Sequence, residues 1–207
     1  MELFRLLGTI AIDNTEANSA INETTENANN ATIESTREYR KEMGLLESAY
    51  LTAGHSSEEA KDTYSELNAV MGDSGAAVEA AQHLSLVADN EAELNELTHS
   101  LTGVYVTFGA SLPLEGLAEA INHSSALGEV QGSLADALEW SGITVDDFNA
   151  QLAECSTEEE RQDLIMRTLK DTYSEAADQY KETNKDVLEA EKANERLADA
   201  MADIGTE

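Results

Sequence analysis

Twelve positions near the C-terminus step strictly by three and four: 166, 169, 173, 176, 180, 183, 187, 190, 194, 197, 201 and 204. Their occupants are Met166, Leu169, Tyr173, Ala176, Tyr180, Thr183, Val187, Ala190, Asn194, Leu197, Met201 and Ile204, and ten of the twelve are apolar. Only a helical backbone gathers such residues on one face; a strand would scatter them over two. The pattern is a heptad seam, with Asn194 at an a position, where an Asn fixes register or oligomeric state at some cost in stability. An intramolecular helix pair, or a polar residue on a frayed end, fits the same spacing. No Gly or Pro interrupts the seam before Gly205. The spacing therefore predicts one long helix over 156–204, which at roughly 1.5 Å per residue reaches about 60 Å. Met166, Leu169, Tyr173, Tyr180, Val187, Asn194, Leu197, Met201 and Ile204 are the candidate residues of a coiled-coil seam through which the chain would associate with itself.

Upstream, the same period recurs in shorter pieces punctuated by caps and glycines. Tyr39, Met43, Leu46 and Tyr50 share a face, and Gly54 ends that helix. Ser56-Ser57-Glu58-Glu59 reads as a capping box ahead of Ala60, Tyr64, Leu67 and Met71, with Gly72 as the stop. Asp73 opens a helix with Ala77, Ala81, Leu84 and Val87 inward. Asn90 and Glu93 open a stronger one through Leu94, Leu97, Leu101, Val104 and Phe108, closed by Gly109. Pro113 suits the first position of a helix running through Leu114, Leu117 and Ile121 to Gly128. Leu134, Ala135 and Leu138 mark a short helix before Trp140, and Thr144-x-x-Asp147 starts another with Val145, Phe148 and Leu152. Ser156-Thr157-Glu158-Glu159 reads as a second capping box. The expected fold class is all-α: a multi-helix acidic globular domain, then the long heptad helix. The expected divisions are 1–12, an apolar N-terminal arm or short strand; 13–38, a polar spacer helix; 39–155, the helical domain; and 156–204, the heptad helix.

Charge narrows the function classes. The chain carries 42 acids and 12 bases, a formal net charge of -30. Phosphate backbones and anionic bilayers are bound through Lys and Arg, so direct nucleic-acid binding and anionic membrane binding are not expected. From Asp62 to Glu160 there is no Lys or Arg at all. Such a run is a solvated acidic surface, or a face meant to repel nucleic acid or to meet a basic partner. The opening MELFRLLGTIAID is broken at Arg5 and lacks an Ala-x-Ala site, so it makes a poor signal peptide. No stretch approaches the ~18–20 apolar residues of a spanning helix.

Chemistry-bearing patterns are absent from the sequence. His55, His83, His99 and His123 have no His or Cys neighbour at metal-ligand spacing. His55 reads as a turn residue, and His83 and His99 as residues at exposed or boundary faces. Asp146-Asp147 and Glu158-Glu159-Glu160 sit near helix starts, where carboxylates favour the positive end of the helix dipole. They lack the alternating ligands and central Gly of a calcium loop. Cys155 is the one cysteine; it forms no internal disulfide, fits a reducing compartment and reads as a buried or boundary thiol. Gly103, Gly109 and Gly116 have neither Rossmann nor Walker spacing. The sequence predicts no catalytic residue, no metal and no cofactor.

Several stretches resemble phage tail tape measure proteins of siphophages and prophages in Gram-positive bacteria, in their N-terminal region. The opening MELFRLLGTIAIDNTEANSAINETTENA is similar to their start. FGASLPLEGLAEA, GSLADALEWSGITVDDFNAQLAEC, STEEERQDLI and TYSEAADQYKETNKDVLEAEKAN resemble their globular segment, and the likeness covers nearly the whole chain. Glu26–Thr36 is a short bridge where such proteins often carry a longer stretch. The resemblance implies a virion structural protein from a longer parent, held extended while tube subunits polymerise around it, so that tail length follows protein length. It implies tail tube and tail assembly proteins as partners, with residence in the virion tail and, during assembly, in the host bacterial cytoplasm. It carries no catalytic motif to transfer.

Overall fold

A computed structural model describes residues 37–204, with side chains to Ala202. The chain divides into one compact unit of Arg40–Leu197 and a second of Met1–Tyr39 with Ala198–Glu207. The expected arm or strand at 1–12 and nearly all of the spacer at 13–38 lie outside the described residues. Among the described residues there are helices and turns and no strand, so the protein is all-α in this part.

The helices are α1 over 37–53, α2 Ser57–Met71, α3 Ser74–Leu84, α4 Glu91–Phe108, α5 Leu114–Leu127, α6 Gly132–Trp140, α7 Val145–Leu152, α8 Glu158–Thr183 and α9 Lys185–Ile204. A single 3-10 turn, Gly109–Ser111, joins α4 to α5. Each cap has a local cause. The Ser56 and Glu59 side chains close a capping box on α2, and Asp73, Asn90 and Thr144 each accept from the backbone N–H three residues on. Two starts sit one residue from expectation. The box on α8 pairs Thr157 with Glu160 rather than Ser156 with Glu159, because Thr157 takes the extended cap conformation. Pro113 is the cap of α5, and Leu114 is its first helical residue.

The core of the larger unit forms around α4. Along its middle, Leu97, Thr98, Ser100, Leu101, Thr102, Gly103 and Val104 are all buried, and His99 alone is half-buried there. This helix packs against α2, α3, α5 and α8, with α8 making the largest contact. Polar residues in so dry a helix need partners, and they find them locally. Thr98, Ser100 and Thr102 hydroxyls donate to the carbonyls four residues back, Leu94, Glu96 and Thr98, at 2.7, 2.9 and 3.1 Å. Gly103 supplies the space for α8: a Cβ there would lie 2.1 Å from the Tyr173 carbonyl oxygen.

The heptad stretch is two helices. α8 ends at Thr183, and Asn184 leaves helical geometry at φ -111° and ψ 20°. Its backbone N–H and side-chain amide both donate to the Tyr180 carbonyl, at 2.9 and 3.0 Å. Its own carbonyl then accepts from Val187 and Leu188, which starts α9. A short polar side chain that bonds its own backbone ends a helix without Gly or Pro. That is why the continuous helix expected over 156–204 is interrupted.

Two further contacts fasten the α5–α8 region. Arg161, the first Lys or Arg after Lys61, donates through Nε to the Ser125 carbonyl at 2.5 Å and through its terminal nitrogen to Ala126 at 3.3 Å. It thereby satisfies carbonyls in the last turn of α5, where a cation also suits the helix dipole. Gly128, at φ 73°, turns the chain there in the left-handed region.

Candidate functional site

The described part of the seam divides at Asn184. In α8, Met166, Leu169 and Tyr173 are buried in the helical unit and Tyr180 is half-buried. In α9, Val187, Ala190, Asn194 and Leu197 face solvent, with Val187 56% and Leu197 60% exposed. Met201 is half-buried, and the Ile204 side chain lies outside the described residues. The first half of the stripe thus serves the chain's own core, whereas α9 presents its a and d positions from Val187 to Leu197 outward. Its other face carries Leu188, Lys192 and Glu195. There Asn68 on α2 donates to Glu195 Oε1 at 2.8 Å, and burial pushes the half-buried Glu195 carboxyl up from the ordinary range.

The histidines are placed individually. His55 follows the turn after α1 and is only 7% exposed. Its Nε2 lies 3.0 Å from the Ala88 carbonyl, its Nδ1 3.4 Å from Glu59 Oε1, and its ring packs on Tyr50 at 5.6 Å. It pins the α1–α2 turn to the connection before α4. The turn was legible in the sequence, but the burial was not, because Ala88 is 33 residues away. His99, half-buried on α4, is bracketed by Asp178 at 3.1 Å and Lys181 Nζ at 2.9 Å, and Lys181 also pairs with Glu66. This Glu66–Lys181–His99–Asp178 chain ties α2 and α4 to α8. His83 sits at a boundary and His123 is exposed. Among the described residues, no group of three or more His, Cys, Asp or Glu side chains is arranged to hold a metal ion. Cys155 is partly exposed, with its thiol 3.6 Å from each of the Gln151 and Glu160 carbonyls. It borders a shallow pocket with Glu154, Glu160, Asp163 and Arg167, and no histidine lines it.

The remaining distinctive group is aromatic. Tyr173 of α8 is buried, and its hydroxyl donates to the Ala137 carbonyl of α6. Burial pushes its phenol up from the ordinary value. Phe108, the last residue of α4, meets Tyr173 edge-on at 5.8 Å. Trp140, the last residue of α6, meets Phe108 edge-on at 5.0 Å and is itself 50% exposed. The three rings run from the core to the surface and hold the indole in place from beneath, in the tilted geometry that aromatic quadrupoles prefer. Sequence reasoning marked Trp140 only as following a helix, since pairing with Phe108 needs the fold to bring α4 and α6 together.

Among the described residues, no helix is long and apolar enough to cross a membrane. Comparison with protein-family models, with curated proteins and with solved structures gives no match to this chain.

Proposed function

We propose that this chain is a segment of a phage tail tape measure protein. In this reading it is a non-enzymatic structural virion protein that helps set tail length and tail assembly, acting as part of an extended helical scaffold for tube polymerisation. The observation that carries the reading is the likeness of FGASLPLEGLAEA, GSLADALEWSGITVDDFNAQLAEC and STEEERQDLI to that family. These stretches supply the end of α4 with α5, then α6 with α7, then the start of α8. The outward heptad face of α9 supports the reading, because a scaffold inside a tube requires helices that associate lengthwise. The partners would be tail tube and tail assembly proteins together with further copies of the chain. The site of action would be the virion tail, with the host bacterial cytoplasm as the place of assembly. The test is mass spectrometry of purified virions or induced prophage particles. Peptides of this chain in tails, within a much larger protein, are the expected result; their absence from well-covered tails overturns the reading.

A second reading is favoured by one observation, the lack of any Lys or Arg between Asp62 and Glu160. In it the chain is a non-enzymatic acidic adaptor that recruits a basic partner. Salt-sensitive capture of a basic protein, together with absence from tails, would select it.

A further inference from the structure

The C-terminal end of α6 sets exposed carboxylates around an exposed aromatic ring. A helix C-terminus carries partial negative charge, which Lys, Arg or His in the last turn normally offsets. The last turn of α6, like those of α2, α4, α5 and α7, has no base. Instead Glu139 lies in it, Asp136 lies one turn before Trp140 on the same face, and both carboxylates are exposed. No Lys or Arg occurs within the sequence from Asp62 to Glu160 to relieve them nearby in the chain. At this end stands the half-exposed indole of Trp140, fixed edge-on against Phe108, which is fixed in turn against Tyr173. A rigid aromatic face and two exposed carboxylates favour the same visitor, a side-chain cation.

We propose that the Trp140 ledge at the end of α6 is a docking site for a Lys- or Arg-bearing segment of a basic protein partner, with the cation over the indole and beside Asp136 and Glu139. The occupant follows from charge complementarity. Carboxylates repel phosphate and acidic surfaces, and an aromatic face gives a guanidinium or ammonium an attraction that a bare acidic surface lacks. The anchor is preorganised, so little side-chain freedom is lost on binding. The inference rests on the second reading, recruitment of a basic partner, and not on the tail reading, because virion composition does not enter its test.

Trp140 is the only tryptophan of the chain, so its emission reports on this site alone. The experiment titrates the full chain with a nona-arginine peptide at physiological salt. Indole fluorescence is followed with unlabelled peptide, and anisotropy with a labelled copy. The expected result is a saturable change in Trp140 emission with the same midpoint as the anisotropy. Asp136→Asn with Glu139→Gln should weaken binding by more than about twofold, and by up to about fivefold for each exposed ion pair lost. Trp140→Leu should weaken the anisotropy signal over a similar range. Glu115→Gln with Glu119→Gln, which removes the same charge from α5, should leave the midpoint within about twofold. Emission that stays fixed while anisotropy saturates overturns the proposal, and so does a peptide that fails to bind. An α5 pair that weakens binding as much as the α6 pair also overturns it, since attraction would then be diffuse. The α6 carboxylates are exposed, so the paired variant decides the matter even if Trp140→Leu fails to fold.

Discussion

Gly103 and Tyr173 mark the point where α4 and α8 touch backbone to backbone: a Cβ on residue 103 would stand 2.1 Å from the Tyr173 carbonyl oxygen and 2.7 Å from its carbon. The obstructing atoms belong to the main chain of a helix, so no rotamer change makes room. Gly103→Ala would gain helix propensity, by up to about 1 kcal/mol, but must push α8 away from α4. Overpacking of this kind costs about 1–3 kcal/mol. A net loss of stability is expected in urea unfolding at equilibrium. A variant as stable as the parent would mean that α8 shifts away from residue 103 without loss of packing.

Glu195 gives a prediction of opposite sign. Its carboxyl is pushed up, chiefly by burial, although Asn68 and nearby Lys192 favour the charged form. A group whose folded value is raised contributes stability below its unfolded value and loses that contribution as pH rises through the folded value. At pH 7 the carboxylate is therefore a liability. Glu195→Gln keeps an oxygen for Asn68 and removes the charge, so it should stabilise the protein at pH 7 and do so progressively less as pH falls toward 4. Chemical denaturation at the two pH values measures this, and a gain that grows on acidification contradicts it.

The box on α2 behaves in the reverse way. The Ser56 backbone and side chain hold the Glu59 carboxyl below its ordinary value, with His55 adding to the effect. That contribution is present above the unfolded value and is lost as pH falls through the folded one. Ser56→Ala should cost about 0.5–2 kcal/mol at neutral pH. The difference between Ser56→Ala and parent should narrow in acid, read from thermal unfolding at pH 7 and pH 3. A penalty independent of pH would separate the box from the Glu59 charge.

Leu197 is 60% exposed on α9, so replacing it should not disturb the helical unit. Leu197→Asp is expected to reduce self-association while leaving the far-ultraviolet circular dichroism unchanged. Light scattering after size-exclusion chromatography distinguishes the species. If the parent is already a clean monomer, the outward stripe does not join copies of this chain.

How much of this was legible in the sequence depended on distance along the chain. Stops and caps such as Gly72, Asp73, Asn90 and Thr144 act on backbone groups three or four residues away, so their chemistry is written locally. The apolar stripes Ala60, Tyr64 and Leu67 of α2 and Leu94, Leu97, Leu101 and Val104 of α4 followed from spacing for the same reason, whereas the burial of Thr98, Ser100 and Thr102 did not. The break at Asn184 was also local, but its signal was a side chain competing for the Tyr180 carbonyl rather than a Gly or Pro. What spacing could not tell was which neighbour each apolar residue meets. Met166 and Val187 occupy the same kind of heptad position, yet one is buried and the other exposed, because α8 is drawn into the core by the space at Gly103. The three-ring ladder was illegible because it joins residues 108, 140 and 173 through the fold alone.

The engaged state of Arg161 reaches as far as protease chemistry. Trypsin cleaves after Lys and Arg, and between Lys61 and Arg161 the chain offers neither. A denatured digest therefore releases residues 62–161 as one long acidic fragment, poorly suited to peptide sequencing. In the folded chain, cleavage at its far end is opposed as well, because the Arg161 guanidinium is held by the Ser125 and Ala126 carbonyls. Most of the helical unit, including α3 to α7, would be silent in a tryptic survey of phage particles, whatever its abundance. An enzyme that cuts at Glu or at aromatic residues is the one able to see it.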